Sequence, residues 1–346
     1  MSEEDETNIT PRTRQQREQQ QVAVTAPTRP TAIDYLIGEV VLDRFVIEAL
    51  LGAGAMGAVY RGRHHKLKRP VALKVLHDHL VHEPTMLARF RREAHLAAKL
   101  QHPNVVGVLD VGETSSGRQV MVMEFAEGPT LTEVMTIAPA RRRVIQLVRQ
   151  LLLGLEHAHG VGLIHRDLKP DNIIVELGQD GTEVPRIVDF GIAILRVPDD
   201  SLDGGRLTAS GMMLGTPLYM SPEQAQCDPI DHRADLFSLG VIVYEMLAGV
   251  TPFTGTAMEI AVANISRDPP PIAKRGPGRE VDPLLELYAR KLMARRPERR
   301  FATARDALDV LELVDRDAAR AALALGQTDV DRALAVIALP DLPRKR

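Results

Sequence analysis

The order in which two periodicities follow one another constrains this chain most. Between residues 44 and 125 the apolar residues fall into five strand-length runs (44–51, 58–62, 71–76, 105–111 and 120–125) separated by turn residues. After Gly128 the spacing becomes helical: Val144, Leu147, Val148, Leu151, Leu155 and Ala158 repeat along one face, and 235–247, 283–294 and 303–314 read the same way. A sheet followed by helices predicts an α+β chain of two lobes, a five-stranded antiparallel sheet with one helix and then a mainly helical lobe.

Composition narrows the function. The 346 residues carry 43 basic and 46 acidic side chains, a net charge of −3, which argues against a polybasic nucleic-acid clamp. Cys227 is the sole cysteine, so an intrachain disulfide and multi-cysteine metal or redox motifs are excluded, and a reducing, cytoplasmic setting is expected. The longest uncharged stretch, 207–222, contains two Gly and two Pro and is too short to span a bilayer, so no membrane anchor is expected. Residues 1–29 are acidic and then Gln-rich with few large apolar side chains, and are expected to be disordered and not a signal peptide. With 7 Phe, 5 Tyr and no Trp, aliphatic side chains and alanine must fill the core.

Three local patterns carry chemistry. The first run leads into Gly52-Ala53-Gly54-Ala55-Met56-Gly57-Ala58-Val59, where three glycines let backbone N–H groups approach phosphate oxygens; a strand follows instead of a helix, which excludes a dinucleotide-binding crossover. Lys74 ends the run Val71-Ala72-Leu73-Lys74, and taken alone reads as a solvated strand end. Between the third and fourth runs a helix opened by Pro84 presents the inward stripe Met86, Phe90, Glu93, Ala97 and Leu100. A carboxylate within an apolar stripe either snorkels at its edge or needs a cation, and Lys74 on the neighbouring strand is the natural candidate.

The segment His165-Arg166-Asp167-Leu168-Lys169-Pro170-Asp171-Asn172, followed 17 residues after Asn172 by Asp189-Phe190-Gly191, places charged and polar groups on loops at the ends of short apolar runs. Asp167 can orient a hydroxyl or accept its proton. Asn172 and Asp189 offer the hard oxygen ligands that Mg²⁺ takes together with phosphate, and Lys169 can neutralise a transferring phosphoryl group.

With these motifs in this order, residues 42–314 resemble the protein-kinase family. They look most like its eukaryotic-type (Hanks-type) bacterial serine/threonine members, judging by Ile192-Ala193 and by Gly215-Thr216-Pro217-Leu218-Tyr219-Met220-Ser221-Pro222-Glu223-Gln224. Further marks are His102-Pro103-Asn104, Asp235-Leu236-Phe237-Ser238-Leu239-Gly240, and Arg300 after Arg296-Pro297. The resemblance implies a bilobal protein-kinase-like fold and phosphoryl transfer from ATP with Mg²⁺, or Mn²⁺ in its place, to protein Ser/Thr hydroxyls. Gly52, Gly54 and Gly57 would cover the phosphates, Lys74 would hold them while paired to Glu93, Asn172 and Asp189 would bind the metal, and Asp167 with Lys169 would act on the hydroxyl and γ-phosphate. Val59, Ala72 and Ile174 would sandwich the adenine, the backbone of Glu124 and Ala126 would bond its edge, and Met123 would stand as gatekeeper; plain core positions look no different in sequence. Lys169 and Thr216 fit the serine/threonine branch. Ser221 replaces the commoner Ala before Pro-Glu, Phe237 stands where Trp is frequent, and Arg296 where Asp or Asn is commoner.

The resemblance also implies phosphosites at Thr208 and Ser210, with Arg166 as the waiting cation. The expected organisation is a leader over 1–38, a kinase domain over 39–314 with lobes at 39–124 and 128–314, and a helical tail over 315–346 with helices at 316–325 and 329–338. Expected partners are protein substrates and a second copy phosphorylated in trans, as a monomer or transient dimer, without nucleic acid. A catalytically silent nucleotide-binding scaffold and a small-molecule kinase are the competing readings; the 215–223 peptide-binding loop counts against the latter.

Overall fold

Six antiparallel strands, one more than expected, open the chain in the computed structural model, which describes residues 36–54, 57–81, 84–135, 139–190, 217–275 and 281–327. They are β1 (Val40–Val41), β2 (Phe45–Ala53), β3 (Gly57–His64), β4 (Pro70–Leu76), β5 (Val108–Glu113) and β6 (Gln119–Glu124), in the order β1-β2-β3-β4-β6-β5. The additional strand β1 is two residues long and returns on β2 through Leu42 and Asp43, both at φ +53°. Neither residue type announces a left-handed hairpin turn as Asn-Gly would, so the turn has no sequence signal.

Register builds two different faces. Tyr60, Leu73 and Val122 form one cross-strand row and all are buried. On the opposite face Val59, Lys74 and Met121 form another row, and there the β3 and β4 residues are only half-buried. On this face Leu76, Met121 and Met123 form one cluster with Phe90, Ala94 and Val106.

The helical segment after β4 is two elements and not one: a single turn α1 (Asp78–Val81) and then α2 (Pro84–Ala97). The buried stripe of α2 runs through Phe90, Ala94 and Ala97, with Leu100 beyond its end. Ala94 therefore occupies the position expected of Glu93, whose side chain sits on the flank, 15% exposed. The fourth run also begins later than read, because Val105 leaves the sheet to bridge Ile187 of the second lobe.

That lobe contains α3 (Leu131–Val134), α4 (Arg141–Gly160), the hairpin β7 (Ile173–Leu177) and β8 (Glu183–Ile187), α5 (Pro222–Gln226), α6 (Arg233–Ala248), α7 (Ala257–Ser266), α8 (Ile272–Arg275), α9 (Pro283–Leu292), α10 (Ala304–Arg316) and α11 (Ala318–Ala324). α6 is buried on nearly every side; α4 and α9 pack against it, and α10 lies on α4. The few aromatics are placed where their polar ends are satisfied. Tyr244 donates to the Pro270 carbonyl at 2.9 Å and Tyr288 to that of Ala307 at 2.9 Å. Burial pushes the Tyr244 hydroxyl up to about 12, so it remains a donor.

The packed core extends past Val314. α11 buries Ala321 and Ala322 in the same core, and Arg149 on α4 reaches Glu312 at 2.7 Å. Asp317 ends α10 and caps α11 through the Arg320 amide, so that helix starts two residues later than predicted. Residues 1–35, Thr208, Ser210, Thr216 and the predicted helix 329–338 lie outside the described residues. The described residues from Ile37 onward form one compact unit.

Candidate active site

The segment from His165 to Asn172 is held by a carboxylate from the core. Asp235, fully buried in the first turn of α6, accepts from the backbone N–H of His165 (Oδ2, 2.8 Å) and of Arg166 (Oδ1, 2.8 Å), and from His159 Nε2 at 2.8 Å. Burial by itself would raise the Asp235 carboxyl; the bond and charge of His159, the charge of His165 and its amide overcome it and hold the group below the usual carboxylate range. The grip keeps Arg166 at φ +67°, a conformation costly for a side chain with a Cβ.

His165 links this loop to the next. Its Nε2 donates to the Val188 carbonyl at 2.9 Å, its Nδ1 accepts from the Asp167 amide at 3.3 Å, and its ring meets Phe190 edge-on at 4.9 Å. Asp189 follows at φ +60°. Asn172 accepts through its carbonyl from the Val188 amide at 2.9 Å, a second tie between the loops.

On this platform Asp167, Lys169 and Asn172 converge. Lys169 Nζ lies 2.8 Å from Asp167 Oδ2, and Asn172 Nδ2 donates to the Asp167 carbonyl at 2.8 Å and to Oδ2 at 3.3 Å. A carboxylate so held presents its free lone pairs in a fixed direction.

Lys74 and Glu93 have partners other than those expected. Lys74 Nζ pairs with Asp189 Oδ1 at 3.1 Å, and Glu93 Oε1 with Arg166 Nη1 at 3.0 Å. The reason is geometric: with Glu93 on the flank of α2, the Arg166 guanidinium meets it, and Asp189 offers Lys74 a carboxylate.

The glycine-rich turn separates two requirements. A Cβ on Gly57 would stand 2.1 Å from the Val75 carbonyl oxygen, so packing demands glycine there. At Gly52 and Gly54 a Cβ would meet nothing within 4 Å among the described residues, so their packing does not explain these glycines. Absence of a side chain at an open strand end lets a phosphate come close to the backbone. The turn is closed by Gly54 N–H to the Gly57 carbonyl at 2.9 Å, and His77 Nε2 donates to the Gly54 carbonyl at 2.9 Å.

Val59, Ala72, Ala126 and Ile174 are half-buried, as residues lining an open cleft are, whereas Met123 is 6% exposed. Glu124 donates its amide to the Gly107 carbonyl at 2.9 Å, and its side chain pairs with Arg186 of β8. Burial would raise the Glu124 carboxyl, but the Arg186 guanidinium, the Gly107 amide and Arg69 hold it below its ordinary value. Arg186 also donates to the Val105 carbonyl at 3.1 Å, so it straps the segment after β6 to the second lobe.

Sequence reasoning gave no role to Arg186, His159 or His77, and quoted Asp235 only as a family mark. Asp235 carried a readable signal, a carboxylate in an otherwise apolar helix. Arg186 carried none, since an arginine in a short hairpin usually faces water. At the other end of the site, α5 is tied in by Gln224 Nε2 to the Arg166 carbonyl at 2.6 Å and by the buried pair of Glu223 with Arg300 at 2.6 Å.

The sequence matches the model of the protein kinase domain over residues 45–310. It is 38% identical to the serine/threonine-protein kinase pkn3 of Myxococcus xanthus over 290 residues, which cover 83% of this chain and 53% of that protein. It is 39% identical to the serine/threonine-protein kinase PknB of Mycobacterium tuberculosis over 268 residues, covering 76% of this chain and 41% of the relative. The chain thus spans about half the length of the curated relatives it matches. Among solved structures it is similar to the Mycobacterium tuberculosis PknI kinase domain, with a TM-score of 0.60 and 26% identity over 80% of this chain and 98% of that one. Sequence, fold and the convergent loops agree: the chain belongs to the protein kinase family, among its Hanks-type bacterial serine/threonine members.

Proposed function

We propose that this chain transfers the γ-phosphoryl group of ATP to Ser and Thr hydroxyls of proteins, a second copy of itself included. The observation that carries this reading is the convergence of Asp167, Lys169 and Asn172 on a loop pinned by Asp235. Asp167 orients the attacking hydroxyl and takes its proton, and Lys169, already beside that carboxylate, balances charge on the phosphoryl oxygens. Gly52 and Gly54 leave the room that the phosphates require, and Lys74 is the cation nearest the Asp189 end of the cleft. Val59, Ala72 and Ile174 enclose the adenine, with Met123 behind it. The amide of Ala126, which donates to no acceptor among the described residues, faces its edge together with the Glu124 backbone.

Asn172 and Asp189 fit a hard divalent cation such as Mg²⁺ or Mn²⁺, which when bound neutralises charge on the phosphate chain. Asp189, paired with Lys74 here, is the carboxylate that would hold the ion. The remaining positions around such an ion would be taken by waters and phosphate oxygens, which this ion class keeps in its shell.

The ion pairs also support activation by autophosphorylation at Thr208 and Ser210. A phosphate carries about −1.5 to −2 charge and competes with Glu93 for Arg166. Glu93 is thereby released toward Lys74, the pairing that family members use when active. The organisation that fits this reading is a leader over 1–38, a kinase domain over 39–314 and a tail over 315–346 whose first helix, α11, packs on the core of the helical lobe. Among the described residues no helix is long and apolar enough to cross a membrane.

Labelled phosphate transfer to a generic protein substrate tests the reading. Asp167→Asn should lower kcat by roughly 10²–10⁴-fold while ATP still binds. Nucleotide binding by the unmodified chain with no transfer under Mg²⁺ or Mn²⁺, even to itself, would favour the silent scaffold instead.

A further inference from the structure

One buried amide side chain interrupts the apolar inner face of α7. Asn264 is 3% exposed among Ile260, Ala261 and Ala263. Its Nδ2 carries two hydrogens and donates both to one short stretch of backbone, to the Pro217 carbonyl at 3.1 Å and to that of Met220 at 3.0 Å. From α6, the buried hydroxyl of Ser238 lies 2.8 Å from the Tyr219 carbonyl and 3.2 Å from that of Ala234. Three carbonyls within four residues are thus met by side chains of two helices.

The stretch needs such help. Pro217–Tyr219 is a single 3₁₀ turn, closed by the Met220 amide on the Pro217 carbonyl at 3.3 Å, and one turn fixes too few hydrogen bonds to hold its own shape. Pro217 and Tyr219 are buried, whereas Leu218 and Met220 are half-buried. Ser221 follows as the N-cap of α5, in a capping box with Gln224, and Gln224 Nε2 reaches the Arg166 carbonyl at 2.6 Å. The stretch therefore leads straight to the loop that carries Asp167. The groups read for the nucleotide lie elsewhere, on β2 to β4 and in the residues after β6.

We infer that Asn264, assisted by Ser238, is a positioning residue for the protein substrate: it fixes the backbone of 217–220 as the surface along which the substrate chain lies when its hydroxyl reaches Asp167. The inference rests on the phosphotransfer reading above. A donor is required at 264, because two carbonyls converge on it in the interior and a side chain without N–H groups leaves them unmatched. A protein substrate has to lay its own backbone beside Asp167, and ATP does not. Loss of the donor accordingly acts on one substrate and spares the other.

The test follows phosphotransfer by the full chain with ATP and myelin basic protein varied in turn. Asn264→Ala should raise the KM for myelin basic protein about tenfold, as two hydrogen bonds of ordinary net worth are lost, and change the KM for ATP by less than about twofold. Ser238→Ala removes one donor from the same stretch, should raise the protein KM about threefold, and carries the test if Asn264→Ala does not fold. Amide hydrogen exchange over 217–226 should quicken roughly tenfold in Asn264→Ala while the sheet exchanges as before. Equal changes in the two KM values, or a protein KM that stays constant while exchange quickens throughout the chain, make Asn264 a structural residue only and overturn the proposal. Unchanged exchange over 217–226 overturns it as well. Absence of all transfer by the unmodified chain strikes the phosphotransfer reading and the substrate role with it, a result distinct from transfer with unshifted KM values, which strikes the role of Asn264 alone.

Discussion

Two carboxylates, Asp235 on the mainly apolar α6 and Glu93 beside the apolar stripe of α2, meet the same 165–172 segment and are held in opposite ways. Asp235 is fully buried and engages two backbone amides and an imidazole, whereas Glu93 is 15% exposed and pairs with the Arg166 side chain. Desolvating a charge is tolerable only where hydrogen bonds replace the lost water, and partners anchored in the backbone cannot leave. Asp235 is therefore a fixed post. A contact between two side chains that water still reaches costs less to exchange than one anchored in the backbone, which suits Glu93 to a change of partner. The Asp235 end of the site is built by the fold, and the Lys74 end by ion pairs that can be redistributed.

The largest effect that tests this contrast comes from Asp235→Asn. The amide cannot accept all three bonds, and leaving buried donors unmatched should cost about 3 kcal/mol of unfolding free energy, read from denaturant titration, together with most of the phosphotransfer rate. Glu93→Gln should leave stability within about 1 kcal/mol while lowering the rate roughly tenfold, or about 1.4 kcal/mol in the barrier. Equal losses of stability in the two variants would abolish the distinction.

Acid titration sharpens it further. The Asp235 carboxyl is held below its ordinary value, and so are those of Asp231 and Glu124. A carboxyl whose folded pKa is depressed binds its proton more readily when unfolded. Its stabilisation is fully present above the unfolded value of about 4 and disappears as pH falls through the folded one. Stability should thus be level above about pH 5 and decline below about pH 4, and Asp235→Asn should decline less steeply. A variant curve parallel to that of the unmodified chain would show that Asp235 ionisation contributes nothing.

The smallest effect is expected at Arg186, whose strap joins the lobes without touching the catalytic loop. Arg186→Gln should raise the KM for ATP by about threefold, the net worth of roughly one hydrogen bond, with kcat nearly unchanged. A fall in kcat at constant KM would place Arg186 on the Asp235 side of the comparison.

Much of this architecture was legible in the chain. Strand runs and helix stripes were readable because one face of each element is buried, and burial leaves a period of 2 or 3.6 in the residues. The motif from His165 to Asn172 was readable because its groups lie within a few residues of each other. The strand β1 escaped notice because its turn uses Leu42 and Asp43 at positive φ, and α1 because a single turn shows no period. Ala94 replaced Glu93 in the packed stripe because the two are neighbours on the helix, and only contact with the sheet decides which one faces it.

By itself the sequence determined the class of fold, the family and the residues that gather around Asp167, since each follows from local pattern or from a contiguous motif. Tertiary structure decided the partners: Asp235 with the amides of His165 and Arg166, Lys74 with Asp189, Glu93 with Arg166, and Arg186 with Glu124. The physical reason is that an ion pair depends on distance in space and on access to water, and residues 62 to 115 positions apart leave no mark of either on the order of the chain.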